Sequence, residues 1–192
     1  MPALKRTYHI AGSDAEAVAK RLRKVEAIAR SNKPEVKSIT YVASGSLAAG
    51  AVINAVPSQI AEGTGGNERI GDAIHNVRIE VRGVCDQLLD IHCLVANSST
   101  LPVMAIFTSG VGTFLLDSER DSRFREILHY RNRYASGSDK TLQFNRKLNF
   151  KTYYNGAAST AGQRGQVVVS VVNRHTAALN YHFTVRLFYT DA

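Results

Sequence analysis

The sequence predicts an all-β protein: an eight-stranded antiparallel jelly roll of two packed sheets, with a short basic amphipathic helix ahead of it. Three observations predict this. Helical periodicity is confined to residues 13–33, apolar runs rich in Val, Ile, Phe and Tyr recur from about Val36 to the end, and turn-prone clusters separate those runs. At 192 residues the chain is long enough for one substantial core and too short for two full domains. It therefore divides into an arm, residues 1–35, and a β body, residues 36–192.

The helix comes first. Ser13-Asp14-Ala15-Glu16 fits a capping box, in which the Ser13 hydroxyl accepts from the Glu16 amide and the Glu16 carboxylate accepts from the Ser13 amide. Val18, Leu22, Val25 and Ala29 follow at helical spacing on one face, Lys20, Arg23, Lys24 and Arg30 gather opposite, and Pro34 supplies the stop. A helix of this kind is either docked on its own domain with a solvated charged face, or a terminal basic arm that meets polyanions.

The strands follow at regular intervals. Eight candidates are Leu47–Val56, Ile74–Gly83, Gln87–Ala96, Val103–Ser109, Arg123–Tyr130, Leu142–Tyr154, Gln166–Asn173 and Tyr181–Tyr189. In the second, Val77, Ile79 and Val81 alternate with Arg78, Glu80 and Arg82, the pattern of one buried and one wet face. Val167–Val172 is apolar on both faces and is expected between layers or between subunits. Glu62-Gly63-Thr64-Gly65-Gly66-Asn67 and Asn97-Ser98-Ser99-Thr100 read as turns. Eight strands in one domain suggest a closed or double-sheet antiparallel architecture, the jelly roll leading.

Charge narrows the function classes. The net charge is +8, which favours a polyanion partner such as nucleic acid over an acidic membrane surface. Residues 1–37 carry nine Lys/Arg against four Asp/Glu, residues 38–117 three against seven, and residues 118–151 nine against four. Two basic segments thus flank an acidic one, so complementarity between neighbouring copies is as admissible as ligand binding. The second basic segment, Arg120 to Lys151, interleaves Phe124, Tyr130, Tyr134 and Phe144, which serve either base stacking or the core.

Cys85 and Cys93, on one extended strand, would stand about 26 Å apart and are expected as reduced thiols. The first residues lack the apolar run of a secretory signal, and no segment reaches the ~20 apolar residues of a membrane span, so a soluble protein made in the cytosol is expected.

Catalytic signatures are missing. His9, His75, His92, His129, His175 and His182 stand singly, without a His-x-His pair or a His-Glu-x-x-His run. Gly63-Thr64-Gly65-Gly66 and Gly110-Val111-Gly112 lack the third glycine of a dinucleotide fingerprint and the Lys-Ser/Thr of a phosphate loop, and no Ser sits in a Gly-x-Ser-x-Gly elbow. Nothing in the sequence argues for an enzyme.

Two segments carry a resemblance. Ala61 to Ile74 holds a glycine-rich loop and the turn Asn67-Glu68-Arg69-Ile70-Gly71-Asp72, and the strand after it ends Val81-Arg82-Gly83. This resembles the early loop and strand of the capsid proteins of small circular single-stranded DNA viruses, and the corresponding stretch of the satellite tobacco necrosis virus coat protein. Val185 to Ala192 is similar to the closing strand of these proteins, and Tyr189-Thr190-Asp191-Ala192 matches the ending of the satellite virus protein. The sequence departs from many members in one respect: Met1 to Ser13 holds only Lys5 and Arg6 instead of a dense cationic tail.

The resemblance implies a jelly-roll shell domain that self-assembles into a small icosahedral capsid of sixty copies, located in the virion, with the basic helix facing a packaged single-stranded DNA or RNA genome. Lys5, Arg6, Lys20, Arg21, Arg23, Lys24, Arg30 and Lys33 would then pair with phosphates without reading sequence. It also implies calcium between subunits, with Asp191 as a ligand. No other cofactor is expected. The alternative is a cellular carbohydrate- or ligand-binding jelly roll of the lectin or cupin kind, against which stand the missing His-x-His set and the basic helix. A third class is a non-viral nucleic-acid-binding protein, which should show a basic groove on the sheet instead of a basic arm.

Overall fold

A computed structural model describes residues 12–31, 34–86, 89–101, 107–110, 113–116, 122–131, 140–156 and 162–192. It divides into two compact units, Met1–Glu35 and Val36–Ala192. The first holds one helix, α1 (Gly12–Ser31), which begins one residue ahead of the expected cap. The described side chains of α1, residues 16–26, are all exposed, and Val18, Leu22 and Val25 stand 61%, 59% and 63% open.

The second unit holds eleven strands among the described residues: β1 (Lys37–Leu47), β2 (Val52–Ala55), β3 (Ala73–Cys85), β4 (Leu89–Ala96), β5 (Phe107–Gly110), β6 (Thr113–Leu116), β7 (Phe124–Arg131), β8 (Lys140–Tyr154), β9 (Gly162–Arg164), β10 (Gln166–Asn173) and β11 (Leu179–Asp191). One sheet runs β1-β11-β3-β8 with the three-residue β9 on its edge, the other runs β2-β10-β4-β7, and β5 and β6 pair only with each other. Every pairing is antiparallel. With β9 and the β5–β6 hairpin set aside, eight strands remain; successive strands change sheet except β4 and β7, which pair in one sheet, and the last lies between the first and the third. That order is two interleaved Greek keys, the jelly roll.

Alternation builds the core. Ile79 and Val81 of β3, Val185 and Leu187 of β11, Leu89 and Ile91 of β4, and Val167, Val169 and Val171 of β10 meet in one cluster between the sheets. Each such side chain contributes roughly 1.5–3 kcal/mol by leaving water. All eight residues of β10 are buried, because its other face places Val168 and Val172 with Val56, Leu94, Ala96 and Phe124 in a second cluster. The doubly apolar run is therefore satisfied inside one protomer.

The strands differ from expectation at their edges. Leu47 does not open a strand: it closes β1, paired with Leu179, and a turn with Gly50 at φ 64° leads to β2. β1 pairs with β11 along its whole length, from Lys37 opposite Tyr189 to Leu47 opposite Leu179. Of the Val103–Ser109 candidate, residues 102–106 lie outside the described residues, and Phe107 to Ser109 belong to the hairpin. Gln87 lies outside them too, so β4 begins at Leu89. Cys85 and Cys93 fall on different strands, in opposite sheets, buried and free. Burial first, and then the Glu126 charge, push the Cys93 thiol up to about 12, which leaves it inert.

Candidate nucleic-acid interface

The structure carries part of the predicted cationic set. Lys20, Arg21, Arg23 and Lys24 stand on α1, exposed, within about two helical turns. Arg30 belongs to the same helix, its side chain outside the described residues, and Lys5, Arg6 and Lys33 lie outside them altogether. Lys20 sits three and four residues before Arg23 and Lys24, so these like charges are surface neighbours that repel by a few tenths of a kcal/mol per pair.

Asp191 is engaged within its own chain. Its Oδ1 accepts from the Ile70 amide at 2.8 Å, and its Oδ2 meets the buried Lys37 ammonium at 2.8 Å. Lys37 Nζ also donates to the Glu68 carbonyl at 2.9 Å. The start of β1, the end of β11 and the loop before β3 are thereby tied at one point. This joins the two segments that carry the resemblance, 121 residues apart in the case of Ile70 and Asp191.

Arg69 holds the same loop from within. It is fully buried, donates from Nε to the Ile60 carbonyl at 3.2 Å and from Nη2 to the Gly156 carbonyl at 3.0 Å, and bonds the Gly71 carbonyl through Nη1. Its guanidinium lies 4.1 Å over the Tyr154 ring and 3.6 Å from Glu62. Gly71, at φ 80°, supplies the left-handed turn that brings its carbonyl round to Arg69. Tyr154 donates its hydroxyl to the Ser58 carbonyl at 2.6 Å, and its burial raises the phenol pKa.

A polar row crosses the β2-β10-β4-β7 sheet on the face turned from the main core. The register sets Asn54, Ser170, His92 and His129 side by side. Ser170 Oγ and Asn54 Oδ1 are 2.7 Å apart, and the His92 and His129 rings stack at 4.4 Å and 10°. His92 Nδ1 donates to Glu126 at 2.5 Å. Two residues back along β4, the buried Asp90 meets Arg174 at 2.9 Å, His129 at 3.5 Å and Arg131 at 3.6 Å.

Asp90, His92 and His129 bring one donor atom each within 4.8 Å of one another, the residue types of a metal centre. The surroundings fit a polar seam better. Parallel rings direct their lone pairs along separate planes instead of to one point, and two guanidiniums already meet the one carboxylate of the cluster, Asp90.

Three of the interleaved aromatics of the second basic segment serve the body. Phe124 is buried in the second cluster, and Tyr130 and Phe144 stack at 6.2 Å against the main core. Tyr134 lies outside the described residues. The interior between the sheets is filled by side chains: the opening lined by Tyr41, Ile53, Val81 and Phe183 is about 10 Å³, the room of one water at most.

No protein-family model and no curated protein matches the chain. Solved structures do. The structure of the infectious bursal disease virus Gx strain aligns at TM-score 0.35 and 14% identity, over 83% of this chain and 32% of that one. The crystal structure of the infectious bursal disease virus VP2 subviral particle aligns at TM-score 0.26 and 13% identity, over 83% and 42%. The chain spans less than half the length of either structure.

Proposed function

We propose that this chain is a viral coat protein that assembles into a small icosahedral shell of about sixty copies and packages a single-stranded nucleic acid genome, with the basic face of α1 on the phosphates. The observation that carries the reading is a jelly roll packed solid between its sheets, in which the two resemblance-bearing segments are one tied unit. A lectin- or cupin-like module needs a ligand cavity or a convergent metal set; here the opening between the sheets holds one water at most, and the Asp90 carboxylate beside His92 and His129 is held by two arginines. Phosphate contacts by Lys20, Arg21, Arg23 and Lys24 would be independent of base sequence and sensitive to salt through counterion release. Calcium between subunits, with Asp191 as one ligand, belongs to the same proposal, and there the cation would share the carboxylate with Lys37.

The experiment is to purify assembled material, extract the nuclease-protected fraction and digest it separately with DNase and RNase. A protected fraction sensitive to one of the two enzymes is the expected result and identifies the genome type. Particles without protected nucleic acid overturn the packaging role, and a small oligomer overturns the shell.

A further inference from the structure

A groove runs along β7 and β8 where the two sheets face each other. Its wider part, about 370 Å³, is lined by Arg125 of β7, Lys151 and Tyr153 of β8, and Arg164 of β9. Its continuation, about 340 Å³, shares Arg125 and Phe150 with the first part and adds Arg146 and Lys147. Tyr153 and Arg164 are register partners across β8 and β9, and the tyrosine is 46% exposed.

Positive charge gathers in this groove. Among the described residues, none of its five cations is ion-paired, whereas Lys37 pairs with Asp191, Arg69 with Glu62, Arg78 with Glu80, and Arg131 and Arg174 with Asp90. The one acid in the lining, Glu126, is held by His92. Five unneutralised cations around one concavity repel one another unless an anion fills it. Beside them an open aromatic ring offers a stacking surface, which unpaired bases can use and a duplex cannot.

We propose that this groove binds a single-stranded segment of nucleic acid, with phosphates on Arg125, Arg146, Lys147, Lys151 and Arg164 and a base on Tyr153. The proposal rests on the reading of the chain as a nucleic-acid-packaging protein and adds a contact on the β body, separate in sequence from α1.

The test is fluorescence anisotropy of the full chain with a labelled 20-nucleotide oligo-dT, a matching abasic strand and a heparin-derived oligosaccharide, across a salt series. Three groove variants are compared: Arg125→Gln/Lys151→Gln/Arg164→Gln, Arg146→Gln/Lys147→Gln, and Tyr153→Ala. All six side chains are exposed, and thermal melting confirms that each variant is folded. The triple variant should weaken oligo-dT binding about tenfold or more and flatten the log K against log salt slope by about 2, since each single-strand phosphate contact contributes about 0.7. The double variant should flatten it by about 1.4. Tyr153→Ala should leave the slope unchanged and abolish a preference of about fivefold or more for oligo-dT over the abasic strand.

Affinity and slope unchanged in both Gln variants overturn the proposal, as does wild-type protein that binds the abasic strand as tightly as oligo-dT. Tighter binding of the heparin-derived oligosaccharide together with that equality identifies a sulfated-glycan site instead. Groove variants that bind oligo-dT normally but fail to form particles identify a contact between copies and also overturn it. If groove variants lose binding while the wild type forms no particle under any condition, the groove stands and the shell reading falls.

Discussion

Arg69 is the side chain on which the loop before β3 depends. Replacing it with Met keeps much of the volume and strands the Ile60, Gly71 and Gly156 carbonyls and the Glu62 carboxylate. Loss of so many partners to a buried charge should cost about 3–5 kcal/mol, read as a fall of roughly 10 °C in the melting temperature. Arg69→Lys should recover little of this, because an ammonium cannot reproduce the planar fork or the contact with Tyr154. The sequence displayed Arg69 only as a member of a turn motif. An Arg among Glu, Asn and Gly reads as exposed, and only the fold reveals the carbonyls that converge on it.

Two further residue-scale outcomes follow from burial. Asp191→Asn leaves the Lys37 ammonium without its counterion and should destabilise by roughly 2 kcal/mol, less than for a wholly buried pair because Asp191 is partly exposed. A calcium role adds something distinct: a melting temperature higher with calcium than with chelator in the wild type and equal in Asp191→Asn. Equal values in the wild type remove the metal from the account. Tyr189 is fully buried, and its hydroxyl has no hydrogen-bond partner among the described residues. Burial, with Asp191 and Glu68 adding to it, raises its phenol from 10.0 to about 12. The folded state therefore holds this proton more tightly than the unfolded chain, and the associated stability is present below pH 10 and lost as pH rises towards 12. Tyr189→Phe should melt like the wild type at pH 7 and shift the alkaline unfolding midpoint upwards in a pH titration followed by circular dichroism.

Among the elements, α1 was legible because a capping signal, a 3.6-residue apolar stripe and a terminal Pro agree over twenty residues. Replacing Lys20, Arg23, Lys24 and Arg30 together with Gln retains helix propensity and removes only charge. If that face binds the genome, the 260/280 nm absorbance ratio of purified particles falls while the β signal in circular dichroism stays. A helix with a purely structural role predicts an unchanged ratio, with harm confined to apolar-face changes such as Leu22→Asp. β10 was legible for a similar reason: its Val run, interrupted only by Ser170, is apolar on both faces and fits a doubly buried position. β1 was not. Its inward residues include Ile39 and Ala43, half-buried, and Gly45 and Ser46 break the pattern before Leu47, so the apolar run from Leu47 onward reads as the strand instead. The pairing with β11 that makes β1 a strand is a contact across more than 130 residues, invisible to local periodicity.

For the whole molecule, the eight jelly-roll strands match the number expected with a different membership, β1 entering and the Val103–Ser109 candidate belonging in part to a separate hairpin. The charge blocks were legible along the chain, but their use was not. The first gathers on an exposed helix, while from the second Arg125, Arg146, Lys147 and Lys151 come together with Arg164 only because β7, β8 and β9 border one groove. The β body has a filled interior and carries five exposed cations along one groove. The proposal is that copies of it close into a shell, and light scattering coupled to gel filtration measures this directly. Sixty chains of 21.0 kDa give a protein mass of about 1.3 MDa. The account predicts a monodisperse particle near that mass with nucleic acid absorbance co-eluting, and a monomer or small oligomer at every salt concentration would contradict it.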